Sequence, residues 1–203
     1  MAQAGRSGPR LGADLFGVKR MEAFMHRVGV RRSDGESFES KPAPPGPRYV
    51  SDTGELTWDT EKRSVMVDAK RSKAIIGDGR GRTANLGGLE VKVDSDWACL
   101  QATVIEGEDF ATARRLLITA TASTENTSMQ WKDAEKTSVV RNWGKAPCLV
   151  EGVRATVRFT TKQSWKAWAL DERGAPRDSV PMQENTIHLG PEHQTLWYEV
   201  AVQ

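Results

Sequence analysis

Alternation of apolar and polar residues with a period of two is the feature that most restricts how this chain can fold. Val153, Ala155, Val157 and Phe159 are interleaved with Arg154, Thr156, Arg158 and Thr160. Successive side chains of an extended backbone leave on opposite sides, so this is the pattern of a strand with one buried and one wet face. Leu89, Val91 and Val93 alternate with Glu90, Lys92 and Asp94 in the same way. Further strands are expected over 64–68, 98–105, 115–122, 164–170, 186–189 and 196–202, separated by turns such as Glu106-Gly107-Glu108-Asp109 and Asp171-Glu172-Arg173-Gly174. The strands 98–105 and 115–122 read as a hairpin whose acidic turn calls for a longer loop than two residues. No helical pattern of comparable strength follows residue 49, which argues against a parallel α/β fold. The expected class is all-β, an antiparallel β-sandwich of jelly-roll or immunoglobulin-like type.

The alternation ends abruptly toward the N-terminus. Pro42, Pro44, Pro45 and Pro47 crowd the end of the stretch 33–48, and each ring locks φ and deletes an amide donor, so neither a helix nor a central strand continues through it. Ahead of this linker, Val18, Met21, Met25 and Val28 fall near helical spacing. They predict a short amphipathic helix, either packed on its own domain or left over from a preceding one. Residues 1–48 hold nine basic against five acidic side chains. The expected organisation is a basic N-terminal extension with a short helix over 1–32, a Pro-rich linker over 33–48 and a β-sandwich domain over 49–203.

Composition narrows the function classes. The 29 Lys and Arg against 27 Asp and Glu leave a net charge of +2, too small to suggest a nucleic-acid partner. No apolar run approaches the roughly 18 residues of a membrane span, and the basic start has neither the apolar stretch nor the small-residue cleavage site of a signal peptide. Two cysteines and three histidines rule out a zinc finger or ribbon. Cys99 and Cys148 are expected as two buried thiols, with a bridge between their strands geometrically open. No spaced acidic loop demands a metal, although a structural calcium held by oxygen ligands is compatible with this class of sandwich. No carboxylate pair stands out as the two acids a glycosidase needs roughly 5–10 Å apart, and no Gly-x-Ser-x-Gly elbow accompanies His26, His188 or His193. The run Gly77-Asp78-Gly79-Arg80-Gly81-Arg82 lacks the Gly-Lys-Ser/Thr and the following helix of a phosphate cradle. It reads as a mobile loop whose two arginines offer contact to an acidic polysaccharide or a neighbouring domain.

Five stretches carry a family likeness: Ser51-Asp52-Thr53-Gly54-Glu55-Leu56-Thr57-Trp58-Asp59, Glu125-Asn126-Thr127-Ser128-Met129-Gln130-Trp131, the run from Trp143 to Val153, Trp168-Ala169-Leu170-Asp171-Glu172-Arg173-Gly174, and Thr195-Leu196-Trp197-Tyr198-Glu199-Val200. Together they resemble the C-terminal β-rich accessory regions that follow the catalytic domains of some bacterial glycoside hydrolases. The likeness covers about residues 49–203, and its motifs are structural more than catalytic. It implies a non-catalytic sandwich that binds polysaccharide or buttresses a glycoside hydrolase catalytic domain, in an extracellular or periplasmic setting. Two departures stand out. Ser128 occupies a position where such regions tend to have Gly, which alters a tight turn, and Lys70-Arg71-Ser72 replaces a common Pro-Arg-Thr run. Residues 1–48 show no such likeness and fit the truncated end of a catalytic domain.

The seven tryptophans supply the candidate site. An indole face meets the partly positive axial C–H groups of a pyranose, and planar polar side chains pair with its hydroxyls. Trp131 and Trp143 lie in one polar stretch with Asn126, Gln130 and Arg141. Each of the two indoles reads either as a sugar platform or as a plug at the end of the sandwich. Trp197 is a further surface candidate, because Tyr198, Val200 and Val202 take the opposite face of its strand. Trp165 and Trp168, three residues apart, must point to opposite faces, and the sequence leaves open which is buried. Trp58 and Trp97 are assigned to packing. The expected function is thus a carbohydrate-binding module. A purely structural sandwich whose tryptophans lie in the core is the alternative, with an unrecognised hydrolase behind both.

Overall fold

The computed structural model describes residues 20–27 and 46–203. A short helix, α1 (Arg20–Met25), precedes an all-β body. The strands are β1 (Arg48–Val50), β2 (Leu56–Asp59), β3 (Ser64–Asp68), β4 (Ser72–Asp78), β5 (Arg82–Leu86), β6 (Leu89–Val93), β7 (Trp97–Glu106), β8 (Arg115–Thr121), β9 (Thr124–Thr127), β10 (Lys145–Val150), β11 (Ala155–Phe159), β12 (Trp165–Leu170), β13 (Pro176–Val180), β14 (Met182–Gln183), β15 (Thr186–Leu189) and β16 (Trp197–Val202). Every pairing is antiparallel.

Among the described residues the strands form a nine-stranded sheet in the order β1-β2-β3-β4-β7-β8-β16-β12-β13, a five-stranded sheet in the order β14-β15-β11-β6-β5, and a separate ribbon of β9 and β10. The two sheets pack as an antiparallel sandwich. Their shared core follows directly from the alternation: Leu100, Ala102 and Val104 of β7, Leu116, Ile118 and Ala120 of β8 and Tyr198 and Val200 of β16 face Leu89, Val91 and Val93 of β6 and Val157 and Phe159 of β11. Alanines concentrated on the larger sheet make room for the branched and aromatic side chains of the smaller one. Trp165 resolves the ambiguity of its pair: it is 2% exposed and lies 5.2 Å from the Phe159 ring, while Trp168 is half-buried on the opposite face.

The expected hairpin is present, with Cys99 opposite Thr121 and Thr103 opposite Leu117, closed by the long connection 107–114. Helix α1 packs on its own domain. Phe24 meets Trp58 edge-on at 5.6 Å, the Asp52 amide donates to the Met25 carbonyl at 2.8 Å, and His26 pairs with Asp52 at 2.9 Å. Of the residues that predicted this helix, Val18 and Val28 lie outside the described residues, as does most of the linker.

Three expectations are corrected. Trp97 is 40% exposed instead of packed, because β7 turns Ala98, Leu100, Ala102 and Val104 inward and sends Trp97 out. The thiols are free and neither is buried: Cys99 is half-buried on the outer face of β7 and Cys148 is exposed on the ribbon. The glycine run is pinned rather than loose. Gly77 and Asp78 close β4, and the turn after them is held by the Gly79 amide on the Asp96 carbonyl and the Gly81 amide on the Val93 carbonyl, both at 2.8 Å.

Candidate functional site

The proposed sugar-binding stretch forms the ribbon, a two-stranded arm inserted between β8 and β11. Thr124 pairs with Val150 and Asn126 with Cys148, and the Ser123 carbonyl accepts the Glu151 amide at 2.9 Å, so both ends of the arm leave the sandwich side by side. All six residues of β10 are exposed, which explains why no alternation marks it. The Ala146–Pro147 peptide in this strand is cis. Beyond the paired strands the ladder continues through the tip, with Trp131 bridged to Val139 and the Gln130 amide on the Asn142 carbonyl at 3.0 Å. Asp133 closes the tip by accepting from the Thr137 hydroxyl at 2.5 Å and the Thr137 amide at 2.9 Å, and these bonds hold its carboxyl below the usual carboxylate range.

The two indoles of this arm have different fates. Trp131 is half-buried; its Nε1 donates to Glu125 Oε2 at 2.7 Å, and the Lys136 ammonium lies 5.7 Å from its ring centroid while bonding the same Glu125 oxygen at 3.0 Å. The Trp131 hydrogen bond, followed by that of Lys136, lowers the Glu125 pKa. Trp131 is thus the small internal core of the arm. Trp143 is 67% exposed, more than any other large hydrophobic residue among those described. Its backbone is nonetheless fixed: Asn126 Nδ2 donates to the Trp143 carbonyl at 2.9 Å, and the next amide, of Gly144, donates to Asn142 Oδ1 at 3.0 Å. Gly144 has φ +74°, and a Cβ there would stand 2.5 Å from the Thr127 carbonyl oxygen, so only glycine fits. Ser128, predicted to alter a tight turn, adopts φ +62° in the same corner.

The structure therefore brings Asn126, Gln130, Trp131, Arg141 and Trp143 together on one arm, with Gln130 and Arg141 exposed beside the Trp143 segment. Asn126 engages the Trp143 carbonyl through Nδ2. Trp197 is elsewhere: it is 36% exposed on the outer face of the large sheet, opposite Thr119, where it borders a shallow depression with Leu170, Arg177 and Thr195. The residue missed in the sequence is Trp97, which opens β7 on that same outer face. The inward run from Ala98 to Val104 already carried the signal.

No group of three or more His, Cys, Asp or Glu among the described residues is placed to hold a metal ion. Four carboxyls have displaced titrations, Asp96, Asp109, Glu125 and Asp133, and all four are lowered, with hydrogen bonds from Arg80, Thr112, Trp131 and Thr137 respectively as the leading cause. No model of a known protein family matches this chain, and neither a curated protein nor a solved structure is detectably similar to it.

Proposed function

We propose that this chain is a non-catalytic carbohydrate-binding module that accompanies a polysaccharide-degrading glycoside hydrolase. One observation carries the reading: a tryptophan that is two-thirds exposed stands on a backbone fixed from both sides. An exposed indole on a loose loop would lose ordering entropy on binding, whereas a pre-set one does not. Gln130 and Arg141 beside it have the planar polar groups that pair with sugar hydroxyls.

A stacked sugar face contributes about 1 kcal/mol beyond area burial, so losing it weakens binding several-fold. The test is affinity electrophoresis of the full chain in gels containing neutral polysaccharides such as laminarin, xylan and hydroxyethylcellulose. Trp143→Ala is expected to lose retention while keeping the wild-type melting temperature. A stable Trp143→Ala protein that is retained like the wild type refutes the platform.

A second reading rests on the outer face of the large sheet, where Trp97 is 40%, Ile105 44% and Trp197 36% exposed. Apolar side chains of this size on one sheet face suit a structural domain that packs on a catalytic partner without binding sugar. That role would leave every gel unretarded.

A further inference from the structure

We propose that the cleft under the overhanging strands β1–β3 binds an acidic saccharide through Arg48 and Arg82, which deepens the carbohydrate-binding reading and rests on it. The nine-stranded sheet extends past the edge of the five-stranded one. Register puts Arg48 opposite Asp59, Asp59 opposite Ser64 and Thr57 opposite Met66, all on the face that turns toward the smaller sheet. Because β5 is that sheet's edge, no strand among the described residues covers the inner face of β1–β3. The resulting cleft has a volume of about 560 Å³ and is closed on its far side by the turn that leads into β5, a size within the roughly 300–1,000 Å³ common for ligand clefts.

The charges in this cleft do not cancel. Its two acids already have cations: Asp59 accepts the Lys62 amide at 2.8 Å with the Lys62 ammonium 3.7 Å away, and Asp78 faces Arg63 at 3.2 Å. Arg80 is bonded to Asp96. Arg82 is different, because its guanidinium donates to the Ser64 hydroxyl and, at 2.9 Å, to the Lys62 carbonyl. Both acceptors are neutral, so the bonds orient the group without compensating its charge. Arg48 makes no ion pair among the described residues and is exposed at the cleft mouth. Two uncompensated guanidinium groups with Thr57 and Thr83 beside them match an anionic group carried on a hydroxyl-rich chain, since guanidinium pairs with carboxylate or sulfate in a two-pronged fashion.

The site is also rigid. A Cβ on Gly79 would lie 2.4 Å from the Ser95 carbonyl oxygen and 2.5 Å from Val93 Cγ1, so the turn carrying Arg80 and Arg82 is packed tightly onto the end of β6. Ser64, which steers Arg82, is 3% exposed. A charged side chain held by a buried partner needs little reorganisation to receive a ligand.

The experiment uses the full chain in gels containing polygalacturonate, which offers carboxylate, or chondroitin sulfate, which adds sulfate, with laminarin as the neutral reference. The wild type should be retarded in at least one acidic gel, and roughly 0.5 M salt should abolish this by screening exposed charges. Arg48→Glu removes no side-chain hydrogen bond among the described residues but sets a carboxylate opposite Asp59, so its melting temperature is checked beside that of Arg48→Gln, and both should bind more weakly, the glutamate by at least about fivefold because a repulsion replaces an attraction. Arg82→Gln, with its melting temperature checked, gives a second reading at the oriented guanidinium. The proposal is overturned by no retardation of the wild type in either acidic gel, or by an Arg48→Glu protein retarded like the wild type. A tighter shift on duplex DNA than on either polymer would also overturn it, in favour of a nucleic-acid surface. The cleft and the ribbon fail separately, since Trp143→Ala should affect the neutral gel and leave the acidic ones, while Arg48→Glu does the reverse.

Discussion

Replacing Gly144 with alanine tests whether ribbon geometry is what holds Trp143 in place. Two penalties coincide at this position. Alanine at φ +74° pays the left-handed cost of about 1–2 kcal/mol. Its Cβ would also stand 2.5 Å from the Thr127 carbonyl oxygen and 2.7 Å from the Met129 amide nitrogen, roughly 1 Å inside ordinary contact. Both obstacles are backbone atoms that cannot swing aside. Relief requires the two sides of the ribbon to part, which sacrifices the Met129 amide bond to the Asn126 carbonyl and the Asn126 side-chain bond to the Trp143 carbonyl, worth about 1 kcal/mol each. The sum, about 3–4 kcal/mol, exceeds what an isolated two-stranded ribbon can withstand, since such ribbons are marginal in water. Hydrogen exchange read by mass spectrometry should therefore show 124–150 opening while β7 and β8 stay protected. Gly174→Ala is the internal control: its φ is +80° with nothing within 4 Å of the added carbon, so it reports the dihedral cost alone. A Gly144→Ala protein whose ribbon exchanges like the wild type, or whose stability falls no further than that of Gly174→Ala, refutes the argument.

Two further outcomes follow from side chains already placed. Trp165→Ala empties a fully packed site next to Phe159, and a loss of about 3–5 kcal/mol corresponds in a chain of this length to a melting temperature lower by roughly 6–20 °C. Trp168→Ala, half-buried on the other face, should cost less than half as much by calorimetry, and equal losses would contradict the assignment of faces. Acid should loosen the ribbon before the sandwich. The folded-state pKa of Glu125 is depressed, so the stabilisation its carboxylate provides is complete above its unfolded value and is lost as pH falls through the folded one, which places the change below about pH 4. Tryptophan fluorescence should show a transition there that Glu125→Gln removes, and an identical acid titration of that variant would contradict the role given to Glu125.

The sequence was most informative where one side of a strand faces the core and the other faces water. Strands β6, β7, β8, β11 and β16 carry aliphatic or aromatic residues at every second position, and that alternation was visible without the structure, whereas β12 has a tryptophan on each face and its buried side was left open. The alternation was silent for β10, because a strand exposed on both faces has no reason to alternate. It gave no strand at β4, where Lys73 points inward at 7% exposure, bonded to Asp68 and 5.2 Å from the Phe110 ring, while Ala74 is covered from the outer side. A lysine among the inward positions breaks the apolar period, and only its tertiary partners explain its burial. The candidate site was legible as a cluster but not as a division of labour. Trp131 and Trp143 have similar neighbours in sequence. What separates them is that Glu125 and Lys136, several residues away on the folded ribbon, enclose the first and leave the second bare. The cleft charges were visible as arginines in a glycine run, whereas the neutral acceptors of Arg82 come from β3 and its preceding turn and could not be read locally.

The way the ribbon joins the sandwich has a consequence for how such a domain can change over time. Its two stems meet at a single hydrogen bond between Ser123 and Glu151, and the next buried residues, Ala122 on one side and Val153 on the other, belong to the main core. Whatever lies between those stems must only begin and end at adjacent points. The free energy of closing such a segment rises slowly with its length, by about 0.6 kcal/mol per doubling, so longer, shorter or differently tipped arms are compatible with one unchanged sandwich. The arm that carries the proposed sugar platform is thereby free to diverge faster than the fold beneath it, in the manner of an exchangeable tool head on a fixed handle.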